Sequence, residues 1–264
     1  MTGARCGLVG HPVAHSRSPA IHAAFARAAG IELDYVLLDA EPAGFAARVR
    51  AFFDAGGAGL NVTLPHKPAA VALADESGGA ARRAGVANVL TRLDDGRLRA
   101  DNVDGLGFVR DLHRVGADPA GASVLLLGAG GAAAGLLPAL LAAGVASVDI
   151  RNRTAARARD LAARFDEPRV HAGDGEPGAA FDLVINATAA SLAGTCPDFP
   201  GAAVAAGTLA CDLVYADAPT PFMQRATSLG ARAVDGWGML VEQAAESFFL
   251  WHGVRPDTAP LLRR

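Results

Sequence analysis

The chain has 264 residues, 51 % of them apolar and 19 % charged, with a formal net charge of −3. That size and apolar content allow one large core or two modest ones, and the near-neutral balance excludes the basic footprint of a nucleic-acid binder. No apolar run reaches the roughly 18 residues of a membrane span, and Met1 to Gly10 lacks the apolar stretch of a secretory signal. Cys6, Cys196 and Cys211 lie too far apart for a CxxC metal site or a disulfide framework. The expectation is a cytoplasmic protein with no membrane, nucleic-acid or metal partner.

In chain order, short β-rich runs alternate with amphipathic stretches, which predicts an α/β fold with mostly parallel strands. Cys6 to Val9 reads as a strand. Ser18-Pro19 opens a helix with Ser18 as N-cap, and Gly30 closes it after Ala29. Tyr35 to Leu38 is a second strand, and Gly44 to Ala55 a helix stopped by Gly56-Gly57. Leu60 to Leu64 is a third strand leading into Pro65-His66-Lys67-Pro68. Ala87 to Arg92 and Arg97 to Ala100 form a hairpin about Asp95-Gly96. A helix from Gly105 to Val115 leads to a second unit that begins with the apolar strand Ser123 to Leu127. Pro138 is expected to kink the helix after that strand. Val148 to Arg151, Leu183 to Asn186 and Leu209 to Val214 continue the second sheet. Residues 166–180 read as surface loops around a short strand, and the last helix spans Gly238 to His252.

Five segments carry chemistry. Gly128-Ala129-Gly130-Gly131-Ala132-Ala133 follows an apolar strand and opens a helix, where a dinucleotide pyrophosphate can sit on the helix N-terminus; a plain tight turn would use the same glycines. The next strand ends in Asn152-Arg153-Thr154, without the carboxylate that an NAD-binding fold places there for the ribose hydroxyls. Arg153 and Arg157 are four apart and reach one spot. Two guanidiniums suit the 2′-phosphate of NADP, or they are a solvated basic helix start. Ser16 and Ser18 share one side of an extended segment at a helix N-terminus and can hold a small carboxylate, though capping also accounts for Ser18. Asn61 and Thr63 share a strand face with Lys67 at the strand's end, a polar stripe that faces either water or a ligand. Asp104 closes the polar turn Asp101-Asn102-Val103-Asp104-Gly105, where simple capping is the alternative.

Taken together these segments resemble the shikimate dehydrogenase family. The likeness runs over nearly the whole chain and keeps the motif order. It includes SxSP at Ser16 to Pro19, NVTxPxK at Asn61 to Lys67, and the Asn88 segment. It continues with DNxDG at Asp101 to Gly105, GAGGA at Gly128 to Ala132 and NRTxxR at Asn152 to Arg157. NAT at Asn186 to Thr188, TPF at Thr220 to Phe222, and Asp235 to Gln243 complete it. The resemblance implies an N-terminal α/β substrate domain (residues 1–104), a Rossmann-like doubly wound NADP-binding domain (105–237) and a C-terminal helical segment (238–264) returning to the first domain.

It also implies NADPH-dependent reduction of 3-dehydroshikimate to shikimate, with Lys67 and Asp104 as the proton-handling pair and no metal. Ser16, Ser18, Asn61, Thr63, Asn88, Tyr215 and Gln243 would join that pair around the substrate. Gly128, Ala129, Gly130, Gly131, Ala132, Asn152, Arg153, Thr154, Arg157, Thr188, Leu213, Gly236 and Met239 would line NADP(H). The chain departs from the family's pattern at Gly79, Val89, Val103, Ala189-Ala190, Asp217 and Trp237. None of these removes an expected acid, base or phosphate contact. A monomer and a homodimer both fit. The rival expectations are a quinate or dual quinate/shikimate dehydrogenase, and a non-catalytic sensor of a related ligand.

Overall fold

A computed structural model of the chain describes residues 4–173 and 175–263. Residue 174, inside the predicted loop segment 166–180, and residues 1–3 of the opening stretch lie outside the described residues. The chain divides into two compact units, Met1–Gly107 with Leu240–Arg264, and Phe108–Met239.

The first unit runs β1 (Ala4–Gly10), α1 (Ser18–Ala29), β2 (Leu33–Asp39), α2 (Phe45–Asp54), β3 (Gly59–Val62), α3 (Lys67–Leu73), β4 (Glu76–Ser77), α4 (Gly79–Ala84), β5 (Val89–Arg92) and β6 (Leu98–Asp101), then enters α5 (Asp104–Arg114). Its six strands lie in the order β2-β1-β3-β5-β6-β4. β1 pairs in parallel with β2 and β3, and the expected β5–β6 hairpin pairs antiparallel beside β3.

The start of α1 differs from expectation. Arg17 holds the cap position with near-helical angles, Ser18 is already helical, and no side chain makes the capping bond. The Ser16 hydroxyl accepts the Ser18 N–H at 3.2 Å instead, a local turn that lets the helix begin one residue early. The third strand also stops sooner. It ends at Val62, the chain turns through Thr63 to His66, and Lys67 opens a helix with Pro68 in its first turn. Proline's fixed φ and missing donor suit that position.

The second unit holds β7 (Ser123–Leu127), α6 (Gly131–Ala142), β8 (Ser147–Arg151), α7 (Ala155–Phe165), β9 (Val170–Ala172), β10 (Leu183–Asn186), β11 (Leu209–Asp212), α8 (Pro221–Ser228) and β12 (Arg232–Val234). These six strands are all parallel, in the order β12-β11-β10-β7-β8-β9. The order reverses direction on either side of β7, the topological switch point at which doubly wound sheets bind ligands. α6 continues through Pro138, and its Leu136, Leu137 and Leu140 are fully buried. A helix apolar on every side belongs inside a core.

The last helices are α9 (Trp237–His252) and α10 (Ala259–Leu262), and the chain from Leu240 onward belongs to the first unit. β3 shows why α9 docks there. Alternate residues of a strand face opposite ways. Leu60 and Val62 join the core with Phe45, Val49, Phe52 and Phe53, while Asn61 faces the other way and bonds to Ser247 of α9. On that second face Phe25, Tyr35, Phe248 and Trp251 surround His22. Burying each such large side chain stabilises the unit by roughly 1.5–3 kcal/mol. Among the described residues no helix is long and apolar enough to cross a membrane, and no cluster of His, Cys, Asp and Glu is arranged to hold a metal.

His22 predicts an acid-side loss of stability. Its ring is fully buried, stacked 4.4 Å from Tyr35, and neither nitrogen has a hydrogen-bond partner. Burial, helped by the nearby His252, pushes its pKa down to about 3. Below the unfolded value of about 6.5, only the unfolded chain takes up this proton. The residue is therefore neutral to stability above about pH 6.5, and below it costs about 1.4 kcal/mol per pH unit until the native ring titrates. Urea unfolding of His22→Phe between pH 7.5 and pH 5.0 is expected to show a shallower fall than wild type, by about 2 kcal/mol. Equal slopes would mean that His22 is paired in the folded chain.

Candidate active site

In the first unit a polar cluster forms where β3, β5 and α5 start or end. Asn88 sits between β3 and β6, where its backbone carbonyl accepts the Val62 N–H and its own N–H donates to the Asp101 carbonyl. Its side-chain carbonyl accepts the Val103 N–H at 2.8 Å, and its amide donates to Asp104 Oδ1 at 2.9 Å and Gln243 Oε1 at 3.2 Å. The Lys67 ammonium donates to Asp104 Oδ2 at 2.6 Å. The two side chains are 11 % and 7 % exposed, so this ion pair is largely withdrawn from water. Asp104 does not spend its carboxylate on capping α5; Lys67 and Asn88 hold it instead.

A second layer braces this one. Asn102 accepts the Asp104 N–H and donates to the Val86 carbonyl, and Gln243 donates to Leu240 O. Gly107 packs so closely on Gln243 that a Cβ there would fall 2.6 Å from the Gln243 backbone nitrogen. Asn61 is 5 % exposed, and its amide is taken up by protein groups: Tyr35 donates to its oxygen at 2.8 Å, and its nitrogen donates to Ser247 and the Asn88 carbonyl. Ser16 and Ser18 stand at the start of α1, and Thr63 is partly exposed just beyond β3.

In the second unit the expected cofactor residues gather at the carboxyl edge of the parallel sheet. Gly128 has φ +111°, a region open only to glycine, and a Cβ there would lie 3.0 Å from the Ala187 carbonyl. A Cβ at Gly130 would meet nothing within 4 Å, so the turn keeps an open side before the N-terminus of α6. That cradle fits a pyrophosphate. At the tip of β8 the Asn152 amide donates to the Thr154 carbonyl at 2.9 Å and shapes the turn into α7. Thr154 is the N-cap residue of α7, although its hydroxyl makes no capping bond. Arg153 and Arg157 are both exposed, and no carboxylate among the described residues pairs with either. Two free guanidiniums beside a phosphate cradle fit NADP, and its pyrophosphate and 2′-phosphate would be held by these groups. Gly236 abuts the Leu213 backbone, and Tyr215 packs edge-on to Trp237 at 6.1 Å.

Sequence reasoning does not single out Asp212 or Ser191, and it marks Thr220 only as the start of the TPF motif. Asp212 ends β11 and is fully buried. It accepts hydrogen bonds from Asn186, Ser191, Thr220 and the Val214 N–H. A carboxylate closing the apolar run Leu209-Ala210-Cys211 is the available signal.

Comparison with known proteins covers the same two units. A model described as the shikimate dehydrogenase substrate binding domain matches residues 8–90, one described as shikimate / quinate 5-dehydrogenase matches 112–193, and the shikimate 5′-dehydrogenase C-terminal domain matches 236–264. The chain is 50 % identical to a shikimate dehydrogenase (NADP(+)) of Chromohalobacter salexigens, over 99 % of this chain and 97 % of that one. Among solved structures it is similar to an Ael1 enzyme from Pseudomonas putida (41 % identity, TM-score 0.91, covering 98 % and 96 % of the two chains). It is also similar to a shikimate 5-dehydrogenase from Thermus thermophilus in complex with NADP(H) and shikimate (35 % identity, TM-score 0.88, 97 % and 96 %).

Proposed function

The chain belongs to the shikimate dehydrogenase family, and from that premise we propose that it interconverts 3-dehydroshikimate and shikimate with NADP(H), Lys67 and Asp104 handling the proton. The observation that carries the proton assignment is the 2.6 Å contact between Lys67 Nζ and Asp104 Oδ2, held in a nearly buried pocket by Asn88.

Reducing a ketone requires a hydride at carbon and a proton at oxygen. When bound, NADPH supplies the hydride. An ammonium has three donors. Lys67 directs one at Asp104 and keeps the others for the substrate oxygen, where positive charge stabilises the alkoxide as it develops and a proton is delivered. Each carboxylate oxygen of Asp104 already accepts one bond, from Lys67 and from Asn88, and has a lone pair left for a substrate hydroxyl. Asn88 and Asn102 fix the orientation of Asp104, so the pair is ordered before substrate arrives, which lowers the cost of reaching the reactive geometry. Ser16 and Ser18 provide neutral donors at the start of α1 for the substrate carboxylate.

The test is the absorbance of NADPH during turnover, with shikimate and with quinate, and with NADP and with NAD. Turnover of shikimate with NADP is expected to exceed the other three combinations. Preference for quinate would move the chain to the quinate branch, and no turnover with either acid would leave a ligand sensor.

A further inference from the structure

We infer that Asp212 is a positioning residue that fixes the nicotinamide side of the cofactor site and leaves the adenosine side untouched. This rests on the NADP-binding reading above.

The geometry is that of a hub. Asp212 and Asn186 are register partners at the ends of β11 and β10, and Asn186 is in turn the partner of Leu127, the residue before the Gly128 turn. Asp212 Oδ1 accepts from Asn186 Nδ2 at 3.0 Å and Val214 N at 3.1 Å; its Oδ2 accepts from Ser191 Oγ and Thr220 Oγ1, both at 2.6 Å. Thus a single carboxylate ties together the two segments that follow β10 and β11. The Asn186 oxygen adds two more ties, accepting from Thr188 N at 3.0 Å and Thr188 Oγ1 at 2.7 Å. The methyl group of Thr188 lies 3.2 Å from where a Gly128 Cβ would be, so the Thr188 loop forms a wall of the phosphate turn. Leu213, between Asp212 and Val214, meets Gly236 backbone to backbone.

All four donors are neutral and none comes from a cation. Burying a carboxylate that way is costly unless every partner is in place, so the loops are held in a single arrangement. The sheet order decides which half of a dinucleotide this arrangement serves. Arg153 and Arg157 follow β8 on one side of β7, whereas Asp212 and its partners follow β10 and β11 on the other. With the pyrophosphate at the Gly128 turn between them, the 2′-phosphate end lies on the β8 side and the nicotinamide end on the β10–β11 side.

The experiment compares wild type, Ser191→Ala and Asp212→Asn. Ser191→Ala removes one donor and is the variant least able to unfold the chain. Three readings are taken: kcat, the affinity for adenosine 2′,5′-bisphosphate, and the fluorescence of bound NADPH. Both variants are expected to lose about tenfold in kcat, because small displacements of reacting groups are expensive. They are also expected to show weaker nicotinamide fluorescence and bisphosphate affinity within about twofold of wild type. Unchanged kcat and fluorescence in both variants would overturn the inference. So would a bisphosphate affinity that falls in step with kcat, which marks general loss of structure. If wild type binds NADPH but turns over neither acid, the catalytic reading fails while the fluorescence still judges Asp212. A wild type that binds no NADPH overturns both.

Discussion

Lys67→Ala is expected to lower kcat by about 10²–10⁴-fold, the range for losing a general acid, with a smaller change in the KM for shikimate. The substrate carboxylate is held by other groups in the proposed scheme, so ground-state binding survives while the developing alkoxide loses its cation. The same substitution is expected to destabilise the fold, for a separate reason. The pair is 11 % and 7 % exposed. Removing one member of a buried pair costs up to about 3–5 kcal/mol, because the other charge is left uncompensated, whereas an exposed pair would cost under about 1 kcal/mol. Here Asn88 still donates to Asp104, which places the cost toward the low end. The double variant Lys67→Ala/Asp104→Ala separates the two roles. Urea unfolding is expected to recover part of the lost stability in the double variant, and steady-state assays to recover none of the lost kcat. Near-normal kcat in a folded Lys67→Ala protein would remove this residue from the chemistry.

The parts of the fold that are legible in the sequence are those with long periodic signals. The strand Ser123 to Leu127 is visible as an unbroken apolar run, and the 128–133 turn as a glycine-rich stretch between that strand and a helix. The β5–β6 hairpin is visible because Asp95-Gly96 admits few other conformations. The elements that escape are short ones whose order comes from packing. α3 and α4 are Ala-rich segments of seven and six residues beside prolines and glycines, too short to be stable helices alone. α8 and β12 escape for the same reason.

In the site, residue identities are legible and hydrogen-bond partners are not. Asn61 reads as part of a polar stripe with Thr63, turned to water or a ligand, yet its partners Tyr35 and Ser247 lie 26 residues before it and 186 after it. Asp212 escapes notice because its four donors come from positions 186, 191, 214 and 220, and only the strand ends bring them to one carboxylate. Lys67 and Asp104 stand out through motif order, while the bond between them spans 37 positions.

Arg153→Ala is expected to reduce the NADPH/NADH ratio of kcat/KM by about 10–100-fold, since a charge-assisted contact to phosphate is among the stronger hydrogen bonds and each tenfold corresponds to one modest interaction. NADH has no 2′-phosphate, so its own kcat/KM is expected to hold steady, and the ratio isolates the clamp from any effect on folding. Arg157→Ala acts in the same direction. Arg153 lies in the turn itself, just before the Thr154 cap of α7 and beside the braced Asn152, whereas Arg157 lies in the first turn of that helix. Arg153→Lys is expected to restore only part of the ratio, because an ammonium keeps the charge and loses the planar fork. Both guanidiniums are exposed, so salt must weaken them: across roughly 0.05–0.5 M NaCl, as the screening length contracts around about 10 Å, the wild-type preference for NADPH is expected to narrow. A ratio that neither substitution nor salt moves would reassign the two arginines to a solvated helix start, and the preference for NADP would have to come from some other group on the β8 side of the sheet.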